Sequence, residues 1–458
     1  MHHTTNEHHV IIMTLETNMD IQELYQLYLQ HPEVTTDSRN CPEGSIFIAL
    51  KGASFDGNKF ARAALDKGCS YAIIDEKEYD DATDDRIILV DDCLLTYKEL
   101  AREHRRQFDI PVIGITGTNG KTTTKELLSA VLAEKYNVMH TEGNFNNDVG
   151  VPKTLLRLNN EHDIAVVEMG ASHVGDIKKL VDYVEPTCGL ITNVGRAHLQ
   201  GFGSFEGVMQ TKGELYDYLK ANRALVFLNT ANEHLLDMAR QRKLDNIISY
   251  GQDRQAQVWG EAVGCDPFLK LRWGSSLPNL PSPTSLWKVT THLIGIYNLD
   301  NVLAAITVGL HFGVSAEQIC HALESYVPSN NRSQFVETDH NRLIEDAYNA
   351  NPTSMAAAID NFKRISMAQP KMAILGDMRE LGDVSGEEHQ KIADMLKASD
   401  IDTVWLVGEE FAKTSCSFRK FKNVEEVKAA IAAEQPAGYC ILVKGSNSIH
   451  LSQLTKEL

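Results

Sequence analysis

Gly117-Thr118-Asn119-Gly120-Lys121-Thr122 is the stretch whose residue types and spacing speak most directly of chemistry. It follows Val112-Ile113-Gly114-Ile115-Thr116, whose β-branched content predicts a buried parallel strand. It precedes a segment in which Leu127, Leu128, Val131 and Leu132 share one helical face. A glycine-rich turn between strand and helix offers backbone N–H groups and a helix N-terminus to a polyphosphate. Lys121 then reaches the β and γ phosphates, the Thr122 hydroxyl suits Mg²⁺, and Thr123 closes the loop, so a nucleoside triphosphate is implied. The position six before Lys121 is Ile115 rather than glycine, which makes a general nucleotide-hydrolase label too coarse.

Glu168 lies in the apolar run Ile164–Met169, and His198 follows the run Gly189–Asn193. Both are placed to project from the carboxyl edge of an open α/β sheet, where such sheets bind ligands. A lone Glu or His at a strand end is, on its own, more often an ordinary polar residue. Asn298 and Asn301 stand three apart at the start of a helical pattern, hence on one face. Their amides can both donate to and accept from a base, although an N-cap role for Asn298 is the simpler alternative. Turn chemistry accounts for the clustered Asn144, Asn146 and Asn147 as well as a ligand does.

Elements that position these residues fall into three stretches of strand-like runs alternating with helical patterns, the signature of α/β domains. A first domain, 1–108, holds the runs Ser45–Leu50, Tyr71–Asp75 and Ile87–Val90. A central domain, 109–328, carries the phosphate loop and a further strand at Ala224–Asn229, on a mainly parallel sheet. A third, 329–458, has strands at Lys371–Leu375, Thr403–Val407 and Ile441–Val443. Between Ser249 and Gly295 the pattern turns to short extended pieces with Pro278, Pro281 and Pro283, which predicts a β-rich insertion, an excursion within the central domain. No repeat at solenoid spacing is visible.

The 458 residues are enough for roughly three domains of about 100–200 residues each. Lys+Arg of 44 against Asp+Glu of 62 leaves −18, which repels a polyanion, so nucleic acid is not expected as a partner. No apolar run approaches the ~20 residues of a membrane span. Cys41, Cys69, Cys93, Cys188, Cys265, Cys320, Cys416 and Cys440 are scattered without a CxxC pair, as free thiols in a reducing cytosol are. The first twenty residues lack a basic and then apolar secretory pattern, and Met13 and Met19 are alternative starts. His2, His3, His8 and His9 read as a frayed polar terminus rather than a metal site. A cytoplasmic monomer is expected.

Longer spellings carry a resemblance. Gly114-Ile115-Thr116-Gly117-Thr118-Asn119-Gly120-Lys121-Thr122-Thr123 resembles the phosphate loop of the Mur ligases, which build the peptide of bacterial cell-wall precursors. Folylpolyglutamate synthase is a relative with a similar loop. Gly143-Asn144-Phe145-Asn146-Asn147-Asp148-Val149-Gly150-Val151-Pro152, Glu168-Met169-Gly170-Ala171 and Thr192-Asn193-Val194-Gly195-Arg196-Ala197-His198-Leu199 look like the family's central signatures. Asp37-Ser38-Arg39 and Phe55-Asp56-Gly57 are similar to the first domain of members that bind UDP-muramoyl peptides, a domain the folylpolyglutamate enzyme lacks. Asp346-Ala347-Tyr348-Asn349-Ala350-Asn351-Pro352, Gly376-Asp377-Met378-Arg379-Glu380-Leu381-Gly382 and Lys444-Gly445-Ser446 resemble the branch that adds a D-alanyl-D-alanine dipeptide. Tyr297, Asn331 and Asn447 depart from the family, which often has His, Gly and Arg there.

The resemblance implies three domains: a UDP-substrate domain, an ATP domain, and a Rossmann-like domain on the D-Ala-D-Ala side. It implies an ATP-dependent amide ligase that activates the carboxylate of a UDP-N-acetylmuramoyl-tripeptide as an acyl phosphate and joins it to D-alanyl-D-alanine. Glu168 and His198 become Mg²⁺ ligands with Thr122. Lys212, fourteen residues after His198, becomes a carbamylated lysine beside a second Mg²⁺ or an unmodified contact to phosphate. Asn298 and Asn301 take adenine or ribose; Arg332 and Asp346 take phosphate and ribose from the third domain. Asn144, Asn146, Asn147 and Ser172 hold the acceptor peptide, Ser38, Arg39 and Gly57 lie near the uridine diphosphate, and Tyr348, Asn349 and Asn351 line the dipeptide side. The rivals are a ligase adding a single amino acid and a nucleotide-dependent switch without ligase chemistry.

Overall fold

In the computed structural model, which describes residues 19–277, 285–329 and 332–458, the apolar runs become strands of three main sheets. His2, His3, His8, His9, Met13, Pro278, Pro281, Pro283 and Asn331 lie outside the described residues. The chain divides into two compact units, Met1–Gln107 and Phe108–Leu458.

In the first unit, Val34–Thr35, Ile46–Ile48, Tyr71–Ile74 and Ile87–Leu89 pair in that order, all parallel. The helix Ile21–Gln30 starts at a capping box in which Asp20 accepts from Glu23 N and the Glu23 side chain returns to the Asp20 N–H. Asp92 caps the helix Cys93–Arg105 by accepting from Leu95 N, and the two helices pack on each other. Between strands, Lys51–Gly52 and Phe55–Asp56 form a small hairpin.

A nine-stranded sheet organises the start of the second unit. Its core strand Val112–Thr116 lies between Ile164–Glu168 and Cys188–Ile191, so the order of connection reverses beside it. Crevices at such reversals, outside the carboxyl ends of the strands, are where open α/β sheets take ligands. The helix Lys121–Ala133 buries Leu127, Leu128, Val131 and Leu132 completely, against the sheet and the helix Leu299–His311. Each such side chain contributes roughly 1.5–3 kcal/mol on removal from water.

The segment expected to be an insertion of short pieces differs. Val258–Cys265, Phe268–Ser275 and Trp287–Ile294 are eight-residue strands that prolong the nine-stranded sheet, antiparallel to one another. Alternation is the reason: Leu269, Leu271 and Trp273 are buried while Lys270 between them is exposed, and the buried set joins the same core as Ile113 and Leu127. Pairing of Tyr250 with Val258 and of Gly251 with Trp259 joins these strands to the parallel ones.

A six-stranded sheet follows in the order Gln334–Glu337, Arg342–Asp346, Cys440–Lys444, Lys371–Gly376, Thr403–Val407 and Arg419–Phe421, parallel except for the first pair. Pro352–Arg364 and Ser385–Lys397 supply Phe362 and Leu396 to one apolar face; Val424–Glu434 supplies Val427 and Ile431 to the other. Phe268 and Ile294 of the nine-stranded sheet reach into the first of these cores. All eight cysteines are free, and among the described residues no helix is long and apolar enough to cross a membrane.

Candidate active site

The phosphate loop turns where Thr116 ends its strand. Gly117 has φ 144° and Gly120 φ 78°, both in the region that favours glycine. A Cβ on Gly117 would collide with Thr192 Oγ1, and one on Gly120 would meet Asn301 Oδ1 at 2.5 Å. Gly120 leads directly into Lys121–Ala133, so the free N–H groups of that helix face the loop. Lys121 Nζ donates to the carbonyls of Gly117 (2.9 Å) and Thr118 (3.1 Å). Burial lowers its pKa, opposed by the charge of Glu168.

Glu168, at the end of its strand, is 1% exposed. Its Oε1 accepts from Thr122 Oγ1 (3.2 Å) and Asn146 Nδ2 (2.7 Å), while its buried Oε2 has no partner. An orphaned carboxylate oxygen beside a threonine hydroxyl at the head of a phosphate loop fits a hard cation, which takes oxygen ligands and retains several waters. Among the described residues no group of three or more His, Cys, Asp and Glu side chains forms a protein-only metal cage.

His198 takes a left-handed conformation, φ 51°, and its Nδ1 contacts the Glu380 carboxylate from the third stretch. Burial pushes its pKa down, helped by the charges of Lys121 and Lys212 and opposed by Glu380. Lys212 sits in the helix Phe205–Ala221, 2% exposed, with its ammonium 5.4 Å from the centre of the Phe202 ring. Burial drives its pKa well below the usual lysine value, and Lys121 adds to the effect.

A cleft of about 870 Å³ gathers most of the expected residues. Thr118, Asn119, Gly120, Lys121, Thr122 and Thr123 line it with Glu168 and His198. Asn298, Asn301, Arg332 and Asp346 also line it, as do Asn144, Asn146, Asn147, Ser172, Tyr348 and Asn349. Gly117 supports the loop from behind, and Lys212 stands outside the cleft wall. Asn298 stands at the N-cap of Leu299–His311, but its side chain makes no capping bond: its Nδ2 donates to Ile294 O (2.8 Å) and its Oδ1 accepts from Asn301 Nδ2 (2.9 Å). The Arg332 guanidinium stacks 4.0 Å from the centre of the Tyr348 ring.

Asn351 differs from expectation. It is 3% exposed and does not line the cleft; its side chain caps the helix Pro352–Arg364 and bonds Asn119. Two residues acquire roles here that no local pattern announced. Lys444, buried, donates to Asp346 Oδ2 (2.6 Å) and Asn349 O (3.1 Å), holding the segment that carries Tyr348. Asp300, in the cleft wall, accepts from Asn229 Nδ2 and Gln252 Nε2, both at 3.1 Å. The sequence marked Lys444 only as a member of the Lys444-Gly445-Ser446 spelling and as the end of an apolar run, with no sign of its partners.

Ser38, Arg39 and Gly57 belong to the first unit. The Ser38 carbonyl accepts from Lys67 Nζ (2.7 Å), and Arg39 pairs with Asp37 through two 2.8 Å bonds. Those bonds hold the Asp37 carboxyl down at about 2. Gly57 packs where a Cβ would lie 2.6 Å from Leu50 O.

A phosphate loop at a sheet reversal, an orphaned carboxylate oxygen and a third sheet closing the cleft define a nucleotide-dependent enzyme with a second substrate side. Family models agree: the Mur ligase family, catalytic domain, matches residues 32–105, the Mur ligase middle domain 115–309, and the Mur ligase, glutamate ligase domain, 331–447. The chain belongs to the Mur ligase family. Within it the similarity is to the MurF type. A UDP-N-acetylmuramoyl-tripeptide–D-alanyl-D-alanine ligase of Bacillus subtilis is 32% identical over 97% of this chain and 99% of its own. A crystal structure of MurF from Acinetobacter baumannii superposes with TM-score 0.85 at 30% identity, covering 96% of this chain and 98% of that one. MurF of Thermotoga maritima in complex with ADP gives 0.81 at 28%, covering 94% and 98%.

Proposed function

We propose that the chain is an ATP-dependent amide ligase that joins D-alanyl-D-alanine to UDP-N-acetylmuramoyl-tripeptide in peptidoglycan precursor synthesis. The observation that carries this reading is the cleft in which the phosphate loop, Glu168 and the Asp346–Asn349 segment face one another. A carboxylate oxygen is a poor leaving group, so activation must precede amide formation. The tripeptide carboxylate attacks the γ phosphorus and ADP leaves, giving an acyl phosphate. The dipeptide amine then attacks the carbonyl carbon, inorganic phosphate leaves with the C–O bonding pair, and the nitrogen gives up one proton to the departing phosphate or to water. Charge collects on phosphate oxygens in both steps, and fixed cations and N–H dipoles lower its cost.

In this reading Lys121 and the loop 117–123 hold the β and γ phosphates, Asn298 and Asn301 the adenosine, and Arg332 and Asp346 phosphate and ribose. Thr122, Glu168 and His198 would hold Mg²⁺, which shields phosphate charge when bound. Lys212 would be the carbamylated residue: burial lowers its pKa, which favours the neutral amine, and that form adds to CO₂ and releases a proton to leave an anionic oxygen donor. That donor would help to hold a second Mg²⁺. Asn144, Asn146, Asn147 and Ser172 contact the acceptor peptide, Tyr348 and Asn349 the dipeptide, and Ser38, Arg39 and Gly57 the uridine diphosphate. The assignment to domains 1–108, 109–328 and 329–458 follows these roles. The enzyme acts in the cytoplasm as a monomer.

The test is direct. With ATP, Mg²⁺ and UDP-muramoyl tripeptide present, D-Ala-D-Ala, D-Ala and glutamate are offered in turn and products identified by mass. Dipeptide incorporation far above either single amino acid is expected; equal use of a single amino acid refutes the substrate assignment, and ATP hydrolysis without any amide product refutes the ligase.

A further inference from the structure

The geometry points to Asn351 as a positioning residue that locks the dipeptide side of the enzyme onto the phosphate loop, an inference that rests on the ligase reading. Asn351 is the N-cap of Pro352–Arg364, where its Oδ1 accepts from Ser354 N (2.9 Å) and its own N–H donates to Ser354 Oγ (3.1 Å). That use of Oδ1 fixes which way the amide faces, so Nδ2 is the group left to point outward. It donates to Asn119 Oδ1 at 2.7 Å, 232 residues away in sequence.

Asn119 is held for this contact by its main chain. Its N–H donates to Asn193 Oδ1 (3.0 Å), and its carbonyl accepts from Thr192 Oγ1 (2.6 Å) and Asn193 Nδ2 (3.0 Å). The neighbouring bonds run along the same seam. Gly195 N donates to Thr118 Oγ1 (3.0 Å), and Arg196 N donates to Thr353 Oγ1 (3.3 Å). Phosphate loop, the 192–196 loop and the start of Pro352–Arg364 are thus one hydrogen-bonded seam. Just upstream of Asn351 stand Asp346, Tyr348 and Asn349, the residues that segment brings to the cleft.

A buried amide costs free energy when left unpaired, and Asn351 is 3% exposed, so its bond to Asn119 favours one place for this segment. Asn351 therefore sets the place of Tyr348 and Asn349 relative to the phosphates without touching a substrate. A bare N-cap would do the first job of Asn351 and not the second.

Serine caps a helix about as well as asparagine but is too short to reach Asn119, so Asn351→Ser separates the two roles. Asn119→Ala removes the same bond from the other side while keeping the main-chain contacts. Asn351→Ser should melt near the wild type and Asn119→Ala somewhat lower, because it leaves the buried Asn351 amide unpaired, and each should lose roughly three- to tenfold in kcat, the size of one neutral hydrogen bond. The double variant should be no worse than either alone, with affinity for the UDP substrate unchanged. Amide exchange in peptides covering 117–122 and 193–197 should quicken in Asn351→Ser, which a cap alone would confine to 351–355. Wild-type kcat and exchange in Asn351→Ser, or multiplicative losses in the double variant, would overturn the lock. Exchange is read without turnover, so a wild-type protein that makes no amide sinks the ligase reading and still leaves the lock decided.

Discussion

Lys121 and Lys212 are neighbouring lysines whose ammonium groups meet different surroundings. Lys121 spends its ammonium on the carbonyls of its own loop, within reach of the negative charge of Glu168. Lys121→Ala should abolish acyl-phosphate formation, followed as trapped hydroxamate, while binding of the UDP substrate by calorimetry stays near wild type; normal turnover would remove Lys121 from the mechanism. Lys212 is buried and lies near a second cation, Lys121, both of which favour the neutral amine. Lys212→Ala should lose activity that a short carboxylic acid in the buffer partly restores, because the acid returns an anionic oxygen to the same space. An unmodified lysine acting as a cation predicts no such rescue.

At the scale of elements, the helix after the phosphate loop does more than present N–H groups. Lys125, one turn beyond Lys121, is fully buried and donates to Thr141 O (2.6 Å) and Glu126 Oε1 (2.6 Å). Thr141 Oγ1 in turn accepts from Glu168 N (3.0 Å), so this lysine ties the helix to the start of the loop that carries Asn144, Asn146 and Asn147. Lys125→Ala strands a buried carbonyl and opens a void, at a cost of roughly 2–4 kcal/mol. A lowered melting temperature with weakened acceptor binding is expected; a variant as stable as wild type would show that water replaces the ammonium without loss. The phosphate loop and its flanking strand and helix were legible because each obeys a local rule: β-branched strand, glycine turn, helical apolar face. The β-rich character of 249–295 was legible too, whereas the length of its strands and their place in the main sheet depend on an alternation that has meaning only once the core partner is known.

At the scale of the whole molecule, the cleft is shared between the nine-stranded and six-stranded sheets, and Arg332 and Asp346 enter it from the latter side. Arg332 stacks on Tyr348, which pre-sets its fork for a phosphate or carboxylate. Arg332→Ala should depress turnover more than binding of the UDP substrate, read by comparing kcat with the dissociation constant of that substrate. Equal losses in both would indicate a folding defect instead.

Sequence by itself determined the α/β class, the phosphate loop, the candidates Glu168 and His198, and the family, since these rest on short-range periodicity and on spellings that survive without coordinates. Tyr348 and Asn349, named from the resemblance, line the cleft beside Asp346. Only the tertiary structure decided that Asn351 faces Asn119 rather than the cleft, that Lys444 holds Asp346, that Glu380 meets His198, and that the β-rich segment extends the main sheet. Those are pairings between residues tens to hundreds of positions apart, in which either partner alone reads as an ordinary cap, strand end or surface charge. A local pattern fixes what a residue is able to do; burial and the partner brought against it by the fold fix which of those things it does.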